Sequence, residues 1–448
     1  MDLVQIESEI MSNKNVAVVG AGIAGIIAAY FEVKKGHNVT LIESDVRAGG
    51  LLKSDFSNGN YFDYGTHILS ETGEEELDEL LFSEFNPQNC FINNKINVAN
   101  YFNKKMNNKS CYVNAATIEE DLYNKGCIEL LRTEEFPKGD NLEEFLLNKF
   151  GKTFYDEIFM PIVMKYIGTH PKKLAVQAGW FFDMSRLLAF DDNITKNLDK
   201  LGIYNSKLAH HTRVEGFLKY YPKEGGVGHI IDSLMEKLND EGVDVKLDFK
   251  IKEIKHNHGK IFSLISADEE IFIDKLVWTL PSSFLSFLSK LGKKTSPPIF
   301  RKTGLFDFSF EKPLNSLATY INVYDLGMYS GRVTLYQNLS DIKNYSCTVE
   351  VLTDDSTDLK GLMGKILFEL IEMGIVSKEN KCIFKQFRPV KNGFPILTEK
   401  FLKEQNEINR YCQNYFQNII CVGRATTDVF FMKDVLVDTF RKLKNKDV

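Results

Sequence analysis

Three glycines, Gly20, Gly22 and Gly25, form a GxGxxG pattern between a run of β-branched residues and a longer apolar segment. The spacing predicts a strand over 16–19, then a tight turn and a helix, and 39–43 forms the second strand. In such a unit the first glycine permits the turn, the second lets a pyrophosphate approach the backbone, and the third lets the helix pack on the strand. The amides at the start of the helix then face the phosphate charge. The pattern therefore predicts a dinucleotide-binding unit and an α/β fold.

An acidic residue, Glu43, closes the second strand, eighteen residues after Gly25. A ligand for a ribose hydroxyl is expected at about this position. A lone GxGxxG often marks a plain turn. Here the strand, the helix, the second strand and the terminal acid all agree, which favours dinucleotide binding over a purely structural turn.

Composition and charge restrict the classes of function. The 448 residues are 44% hydrophobic and 26% charged, which is typical of a folded chain of two or three domains. The formal net charge is −6, so no overall basic field indicates a nucleic-acid partner. An anionic ligand must therefore be held by a local group of Arg and Lys side chains. We expect a small-molecule substrate, and a homodimer is compatible with the sequence.

Cysteine usage and hydropathy indicate the setting. The seven cysteines include no CxxC pair and are odd in number, so we expect reduced thiols and a cytoplasmic protein. The amino terminus is polar and acidic, unlike a signal peptide, and no apolar run predicts an integral membrane segment. His210, His211 and Glu215 lack a further ligand at a convincing spacing, so we expect no metal site.

Two further segments carry a family resemblance. Residues 43–52, ESDVRAGGLL, resemble the second half of the extended FAD motif of the amine oxidase, protoporphyrinogen oxidase and UDP-galactopyranose mutase superfamily. Residues 62–67, FDYGTH, resemble its D-x-G-x-H segment, which approaches the flavin ring. The resemblance implies FAD as the cofactor and His67 as the candidate catalytic residue. The cofactor-binding residues that it implies in this part of the chain are Gly20, Gly22, Ile23, Ala24, Gly25, Glu43, Ser44, Arg47, Gly49, Gly50, Leu51, Gly65, Thr66 and His67.

The same resemblance continues later in the chain. Residues 220–229 resemble the family's P-x-G-G segment, and the strand that follows over 243–247 implies that the backbone of Val245 lies against the adenine. Residues 418–425, NIICVGRA, resemble the carboxy-terminal FAD motif. The further cofactor-binding residues implied there are Gly423 and Arg424.

The resemblance implies a Rossmann-type FAD-binding domain with an inserted helical region and an antiparallel-sheet substrate domain. The FAD-binding domain takes segments 1–73, 220–296 and 406–448, the mainly helical substrate domain takes 74–219, and the sheet domain takes 297–405. Apolar residues at helical spacing predict a helix over 145–158, and a last helix is expected from about Met432. Strands in the sheet domain are predicted over 301–310, 317–323, 334–337 and 347–351.

Three stretches resemble the glycan-associated branch of the superfamily. They are 154–171, 185–192 and 329–338. Two arginines on different elements would then hold the diphosphate of a sugar nucleotide, because guanidinium forks bind such oxygens bidentately. For each arginine alone, a surface salt bridge is the commoner explanation. The substrate-binding residues that the resemblance implies are Lys165, Tyr166, Arg186, Arg332 and Tyr336.

The resemblance implies an FAD-dependent oxidoreductase that acts on a nucleotide-activated sugar or a related precursor in polysaccharide biosynthesis. Three alternatives stay open: a non-redox UDP-sugar mutase, a small-molecule amine or porphyrinogen oxidase, and a non-enzymatic flavin-binding protein. An aromatic cage would favour an amine, whereas two converging arginines would favour a diphosphate.

Two departures speak against the mutase alternative. After the carboxy-terminal glycine the mutases carry tyrosines and an aspartate, where this chain has Asp428, Phe430 and Met432. The chain also lacks the second histidine of the mutase motif that begins at His67.

Overall fold

A computed structural model describes residues 13–134, 137–212, 216–293, 295–339, 344–426 and 429–445, with the backbone alone at 181, 182 and 425. The strands are β1 (Asn15–Val19), β2 (Asn38–Ile42), β3 (Ser54–Ser57), β4 (Asn60–Asp63), β5 (Leu69–Ser70), β6 (Cys90–Asn93), β7 (Val98–Phe102), β8 (Lys105–Asn107), β9 (Lys219–Pro222), β10 (Asp244–Lys246), β11 (Glu253–Asn257), β12 (Lys260–Ile265), β13 (Glu270–Phe272), β14 (Lys275–Trp278), β15 (Phe300–Phe310), β16 (Tyr320–Val323), β17 (Ser330–Leu335), β18 (Ser346–Thr353), β19 (Cys382–Pro395) and β20 (Ile419–Cys421).

The helices are α1 (Ile23–Lys34), α2 (Glu75–Phe82), α3 (Glu120–Leu130), α4 (Leu142–Phe150), α5 (Lys152–Phe154), α6 (Met160–Ile167), α7 (Asp192–Asp199), α8 (Gly228–Asp240), α9 (Ser282–Leu288), α10 (Met363–Glu372), α11 (Glu399–Tyr415) and α12 (Met432–Asn445). A π-helical turn, Tyr155–Phe159, joins α5 to α6.

A parallel sheet in the order β10-β2-β1-β14-β20 forms the centre of the cofactor-binding part. Residues of β1 are buried on both faces, which explains why its apolar residues do not alternate with polar ones. Helices α1 and α12 cover one face, and Phe31 and Phe440 pack there with ring centroids 5.0 Å apart. These features confirm the predicted Rossmann-type α/β fold.

A second, mixed sheet has the order β19-β15-β18-β17-β16-β7-β8. The β16–β7 pair is parallel and the other pairs are antiparallel. One face is apolar: Ile321, Val333 and Val349 share a buried cluster with residues of α10. Alternation therefore puts Asn322 and Arg332 on the opposite face.

The predicted strands of this sheet are largely present, with one shift. The strand predicted over 334–337 is β17, Ser330–Leu335, and Tyr336–Asn338 instead forms a 3₁₀ turn. Strand β19 and helix α10 were not predicted.

Two predictions for the inserted segment need correction. Residues predicted as part of a mainly helical region form β6, β7 and β8, and β7 joins the second sheet beside β16. The predicted helix over 145–158 breaks at Gly151, where φ is +83° and a Cβ atom would lie 2.7 Å from Glu129 Cβ. Within the described ranges, no helix has the length and apolar character that crossing a membrane requires.

Candidate functional site

The glycine turn after β1 has the geometry of a phosphate cradle. Gly20 has φ +99°, and its N–H donates to Ile42 O at 2.8 Å, which ties the turn to β2. A Cβ atom on Gly25 would lie 1.8 Å from Gly20 O, so only glycine lets α1 pack there. A Cβ atom on Gly22 would meet nothing within 4 Å, and no side chain caps α1 at this residue. The turn and the first amides of the helix therefore leave room for an anion at Gly22.

The acid predicted to bind ribose lies at this turn. Glu43 Oε2 accepts a hydrogen bond from Ala21 N at 2.9 Å, and Oε1 accepts one from Asp45 N at 2.9 Å. Ser44 Oγ donates to Glu43 Oε1 at 3.2 Å. The carboxylate is thus fixed beside the glycine turn, where a ribose next to the pyrophosphate would reach it.

The second glycine pair runs alongside the first. Gly49 N donates to Ala21 O at 2.7 Å, and a Cβ atom on Gly50 would lie 3.4 Å from Gly22 Cα. Arg47 anchors this loop from outside, because its guanidinium donates to Asp55 Oδ1 and to a main-chain carbonyl of β3, both at 2.9 Å. The two loops therefore form one continuous wall.

A cavity of about 180 Å³ lies against this wall. It brings together residues from the amino-terminal motifs and from the carboxy-terminal motif, which are more than 350 positions apart in the sequence. Its lining residues are Gly22, Ile23, Ala24, Gly25, Gly49, Gly50, Leu51, Leu52, His67, Thr279, Gly423, Arg424, Met432 and Val435. Val245 lies at the edge of the same sheet, opposite Leu41, and its contact with an adenine stays a prediction.

A buried carboxylate fixes the segment that leads to His67. Asp63 Oδ1 accepts from Ser54 Oγ at 2.6 Å and from Val227 N at 3.2 Å, and Oδ2 accepts from Tyr221 Oη at 2.8 Å. Burial raises the pKa of Asp63 to about 6, against the effect of these donors. Arg388 donates to the carbonyl oxygen of Asp63 at 2.8 Å. The segment 64–67 therefore begins next to Asp63, a residue that these hydrogen bonds hold in place.

His67 lies at the cavity as a neutral imidazole. Burial lowers its pKa to about 4; the nearby Glu350 carboxylate opposes this shift, whereas Arg424 and Arg332 add to it. At neutral pH the uncharged ring of His67 can therefore donate one hydrogen bond and accept another, and the imidazolium form is disfavoured. A catalytic role for His67 stays a prediction.

This low pKa predicts an acid-dependent loss of stability. Between about pH 6.5 and 4 the unfolded chain binds a proton at His67 and the folded chain does not, so the free energy of unfolding falls with pH by up to about 3 kcal/mol. Lowering the pH from 7 to 4.5 should reduce the free energy of unfolding of both proteins. We expect this reduction, measured by urea unfolding, to be about 2 kcal/mol smaller in His67→Gln than in the wild type. The raised pKa of Asp63 changes the free energy of unfolding in the opposite direction. This change is the same in the wild type and in His67→Gln, so it cancels when the two proteins are compared. Equal losses would show that His67 has an ordinary pKa.

An ion pair that the sequence analysis missed lies next to this segment. Arg332 Nε and one terminal nitrogen donate to the two oxygens of Glu350 at 2.9 and 3.0 Å. Glu350 Oε1 also accepts from Thr66 N at 3.1 Å. Burial opposes ionisation of Glu350, but the guanidinium and its hydrogen bonds prevail and lower its pKa. A lone acid in the apolar strand β18, SCTVEVLT, was the available sequence signal.

The two arginines that were predicted to bind a diphosphate, Arg186 and Arg332, both make contacts within the protein. The guanidinium of Arg332 faces Glu350, and Arg186 donates to the carbonyl oxygens of Leu208, at 2.8 Å, and of Asn205. The first contact is an ion pair between neighbouring strands and the second is a main-chain anchor. Convergence of both arginines on a diphosphate stays a prediction.

Lys165 and Tyr166 do not occupy the substrate-facing positions that were predicted. Lys165 Nζ donates to three carbonyl oxygens, those of Val323, Asp325 and Ser330, at 2.6, 2.7 and 2.9 Å. All three ammonium hydrogens are thereby used, and burial lowers the pKa of Lys165 to about 7. Tyr166 is buried, with its hydroxyl 2.9 Å from Val323 O. Both residues tie α6 to the second sheet.

Tyr336 is also an interior residue. It is 2% exposed and its ring packs against Phe62 and Tyr221. Its hydroxyl accepts from Asp63 N at 2.9 Å and lies 2.8 Å from Thr348 Oγ1. The predicted substrate-binding role is therefore corrected to support of the segment before His67.

Lys165→Met should destabilise the fold without weakening ligand binding. The substitution leaves buried carbonyls without their donor, which we expect to cost about 2 kcal/mol of unfolding free energy. Chemical denaturation and ligand titration of the same variant check this. Lost affinity at unchanged stability would restore the substrate-binding role.

His210, which the sequence analysis weighed as a metal ligand, pairs with a nearby carboxylate. His210 Nε2 lies 2.6 Å from Asp199 Oδ2, a local pair. Glu215 and Asp428 lie outside the described residues. In the part of the chain that the structure describes, no group of three potential ligands is placed to hold a metal ion.

Comparisons with known proteins agree with this geometry. The family description "NAD(P)-binding Rossmann-like domain" matches residues 18–83. Protoporphyrinogen oxidase 2 of Arabidopsis thaliana is 47% identical over 73 residues, 16% of this chain and 14% of that protein. L-amino-acid oxidase of Notechis scutatus scutatus is 42% identical over 66 residues, 14% of this chain and 13% of that protein. The matched segment thus spans about a seventh of the length of these relatives.

Two solved structures share the fold along almost the whole chain. Reduced UDP-galactopyranose mutase superposes with a TM-score of 0.73 at 16% identity, covering 96% of this chain and 91% of the mutase chain. Putrescine oxidase bound to putrescine superposes with a TM-score of 0.62 at 13% identity, covering 96% and 98% of the two chains.

The fold and the cavity define a dinucleotide-binding protein whose Rossmann-type domain is assembled from separate stretches of the chain. Residues 18–83 match a Rossmann-like domain, a short segment of the chain is similar to protoporphyrinogen oxidase 2, and the chain shares the overall fold of UDP-galactopyranose mutase. Its cofactor is FAD. The open cradle at Gly22 and the fixed carboxylate of Glu43 fit the pyrophosphate and a ribose of that molecule.

Proposed function

We propose that this protein is an FAD-dependent enzyme that acts on a nucleotide-activated sugar in glycan biosynthesis. FAD supplies the redox or nucleophilic chemistry of its ring when bound. The residues of this chain bind the substrate, orient it and exclude water. The inserted segment and the second sheet supply these residues.

The observation that carries this proposal is a polar row across the second sheet. Asn100, Asn322, Arg332 and Glu350 are directly opposite one another on β7, β16, β17 and β18. Directly paired residues lie on the same face of a sheet. All but Arg332 are at most 2% exposed, and Glu350 contacts the segment that carries His67.

A polar row of this kind, with the Arg332 side chain as its more exposed member, suits a site for a substrate that is recognised by hydrogen bonds and charge, as sugars and diphosphates are. A porphyrinogen or another large apolar substrate would need an apolar wall instead. The proposal that the chain is an oxidoreductase and not a mutase rests on the sequence departures at 428–432. A cytoplasmic location and a homodimer stay predictions.

A specific observation favours amine oxidation as a second candidate. The charge of Arg332 is balanced by Glu350, and Asp183 adds a further carboxylate beside the row, where it accepts from Asn322. A surplus of carboxylate attracts an ammonium group.

A titration of the flavin absorption band distinguishes the candidates. UDP and UDP-galactose should shift the band of the purified protein saturably, and putrescine should leave it unchanged. Under anaerobic conditions, bleaching by UDP-galactose supports an oxidoreductase, whereas turnover that requires prior reduction without net oxidation supports the mutase. A band that responds only to amines would contradict the nucleotide-sugar proposal.

A further inference from the structure

We propose that Asp183, held in place by Asn322, binds the ribose hydroxyls of the substrate nucleotide. This inference rests on the proposed function and assigns the nucleoside end of the same site. It names a substrate contact that the sequence motifs did not indicate.

Asn322 points to an unfilled hydrogen-bonding position. It is fully buried, and its Nδ2 donates to Asp183 Oδ2 at 2.8 Å and to Tyr324 Oη at 3.1 Å. Its Oδ1 is buried and accepts no hydrogen bond from the described residues. A buried acceptor without a donor costs about 1–3 kcal/mol. A ligand hydroxyl at this place would supply the missing donor.

The backbone at Asp183 is shaped to present its carboxylate. Asp183 ends the 3₁₀ segment Val176–Asp183 with φ +56°, a conformation that few residues other than glycine, Asn and Asp adopt. Residues held in this region cost energy and concentrate at binding sites. Asp183 is partly exposed, and its carboxylate has further lone pairs that can accept hydrogen bonds from a ligand in addition to the one from Asn322.

The Arg332 guanidinium and three phenolic hydroxyls lie within electrostatic range of Asp183. Burial, with the charge of Asp183 as a smaller contribution, raises the pKa of Tyr112, Tyr320 and Tyr324. These phenols therefore stay protonated at neutral pH. A carboxylate among phenolic hydroxyls suits a ligand that carries several hydroxyl groups of its own.

The place of Asn322 in the polar row indicates that it lies near the ribose of the substrate. Asn322 lies opposite Arg332, and Arg332 lies opposite Glu350, which contacts Thr66. Asn322 is thus two strand spacings, about 10 Å, from the residue beside the cofactor segment. With the diphosphate at Arg332 and the sugar toward the cofactor, the ribose falls at Asn322 and Asp183. A carboxylate that accepts from ribose hydroxyls is the arrangement that dinucleotide-binding domains use.

The test compares UDP with 2′-deoxy-UDP on the flavin-loaded protein. We expect the wild type to bind UDP about tenfold more tightly, because one charge-assisted hydrogen bond is lost with the hydroxyl. Asp183→Asn keeps the size of the side chain and tolerates positive φ, and it should abolish this preference. Asp156→Asn removes an exposed carboxylate that pairs with Lys152 on the same inserted segment, so it serves as the matched control. It should keep the preference.

The outcomes separate the two claims. A wild type that binds neither nucleotide overturns the proposed function and this inference together. A wild type that binds both nucleotides equally overturns the inference alone, whether or not Asp183→Asn folds. An unchanged preference in folded Asp183→Asn also overturns the inference.

Discussion

Gly22→Val should yield a folded protein that has lost FAD. The backbone at Gly22 has φ −75° and ψ 172°, which valine adopts readily, and a Cβ atom there meets nothing within 4 Å. The added side chain instead fills the space that the pyrophosphate needs. Loss of two charge-assisted backbone hydrogen bonds would cost about 3 kcal/mol, or roughly a hundredfold in affinity. The measurement is the ratio of flavin absorbance to protein after purification and reconstitution, with circular dichroism as the check on folding.

Gly25→Ala is the matched control for this experiment. Its Cβ atom would lie 1.8 Å from Gly20 O, so the substitution disrupts the packing of α1 on β1. We expect it to lower both stability and FAD binding. Gly22→Val that stays fully flavin-loaded would show that the pyrophosphate does not lie at this glycine. A similar loss of stability in both variants would show that Gly22 is structural.

Glu350→Ala should destabilise the protein by about 3–5 kcal/mol, because it leaves the guanidinium of Arg332 without its carboxylate. The pair is bidentate, and the Glu350 side chain is 3% exposed. The variant also removes the acceptor of Thr66 N, so the segment that carries His67 loses an anchor. Urea unfolding at saturating FAD measures the effect on stability.

A double variant separates stability from function at this pair. Glu350→Leu combined with Arg332→Met replaces both charges with apolar side chains of similar size, which is often neutral for stability. We expect the double variant to recover most of the lost stability and to bind UDP far more weakly than the wild type. Wild-type UDP affinity in the double variant would mean that Arg332 does not bind the diphosphate.

Local motifs account for the part of the site that the sequence predicted. The roles of Gly22 and Gly25 follow from a strand, a turn and a helix that are contiguous in the chain. A motif also located Gly423, which lines the same cavity although it lies at the far end of the chain. The parallel sheet brings these ends together, and its buried, non-alternating strands were readable from the sequence.

Strand register explains what the sequence did not reveal. Glu350 meets Arg332 because β17 and β18 align those two residues, and Asp183 meets Asn322 across two different elements. Neither pairing has a local signature. Conversely, Lys165 belongs to a recognised motif but turns toward three main-chain carbonyls, because a motif does not fix the direction in which a side chain points.

The most direct test is the visible spectrum of the purified protein and the identity of the cofactor released on denaturation. We predict a flavin spectrum and release of FAD in an amount stoichiometric with the chain, after reconstitution if the cofactor is lost in purification. A protein that stays colourless with added FAD, or that binds NAD(P) in its place, would contradict the assignment of the cavity.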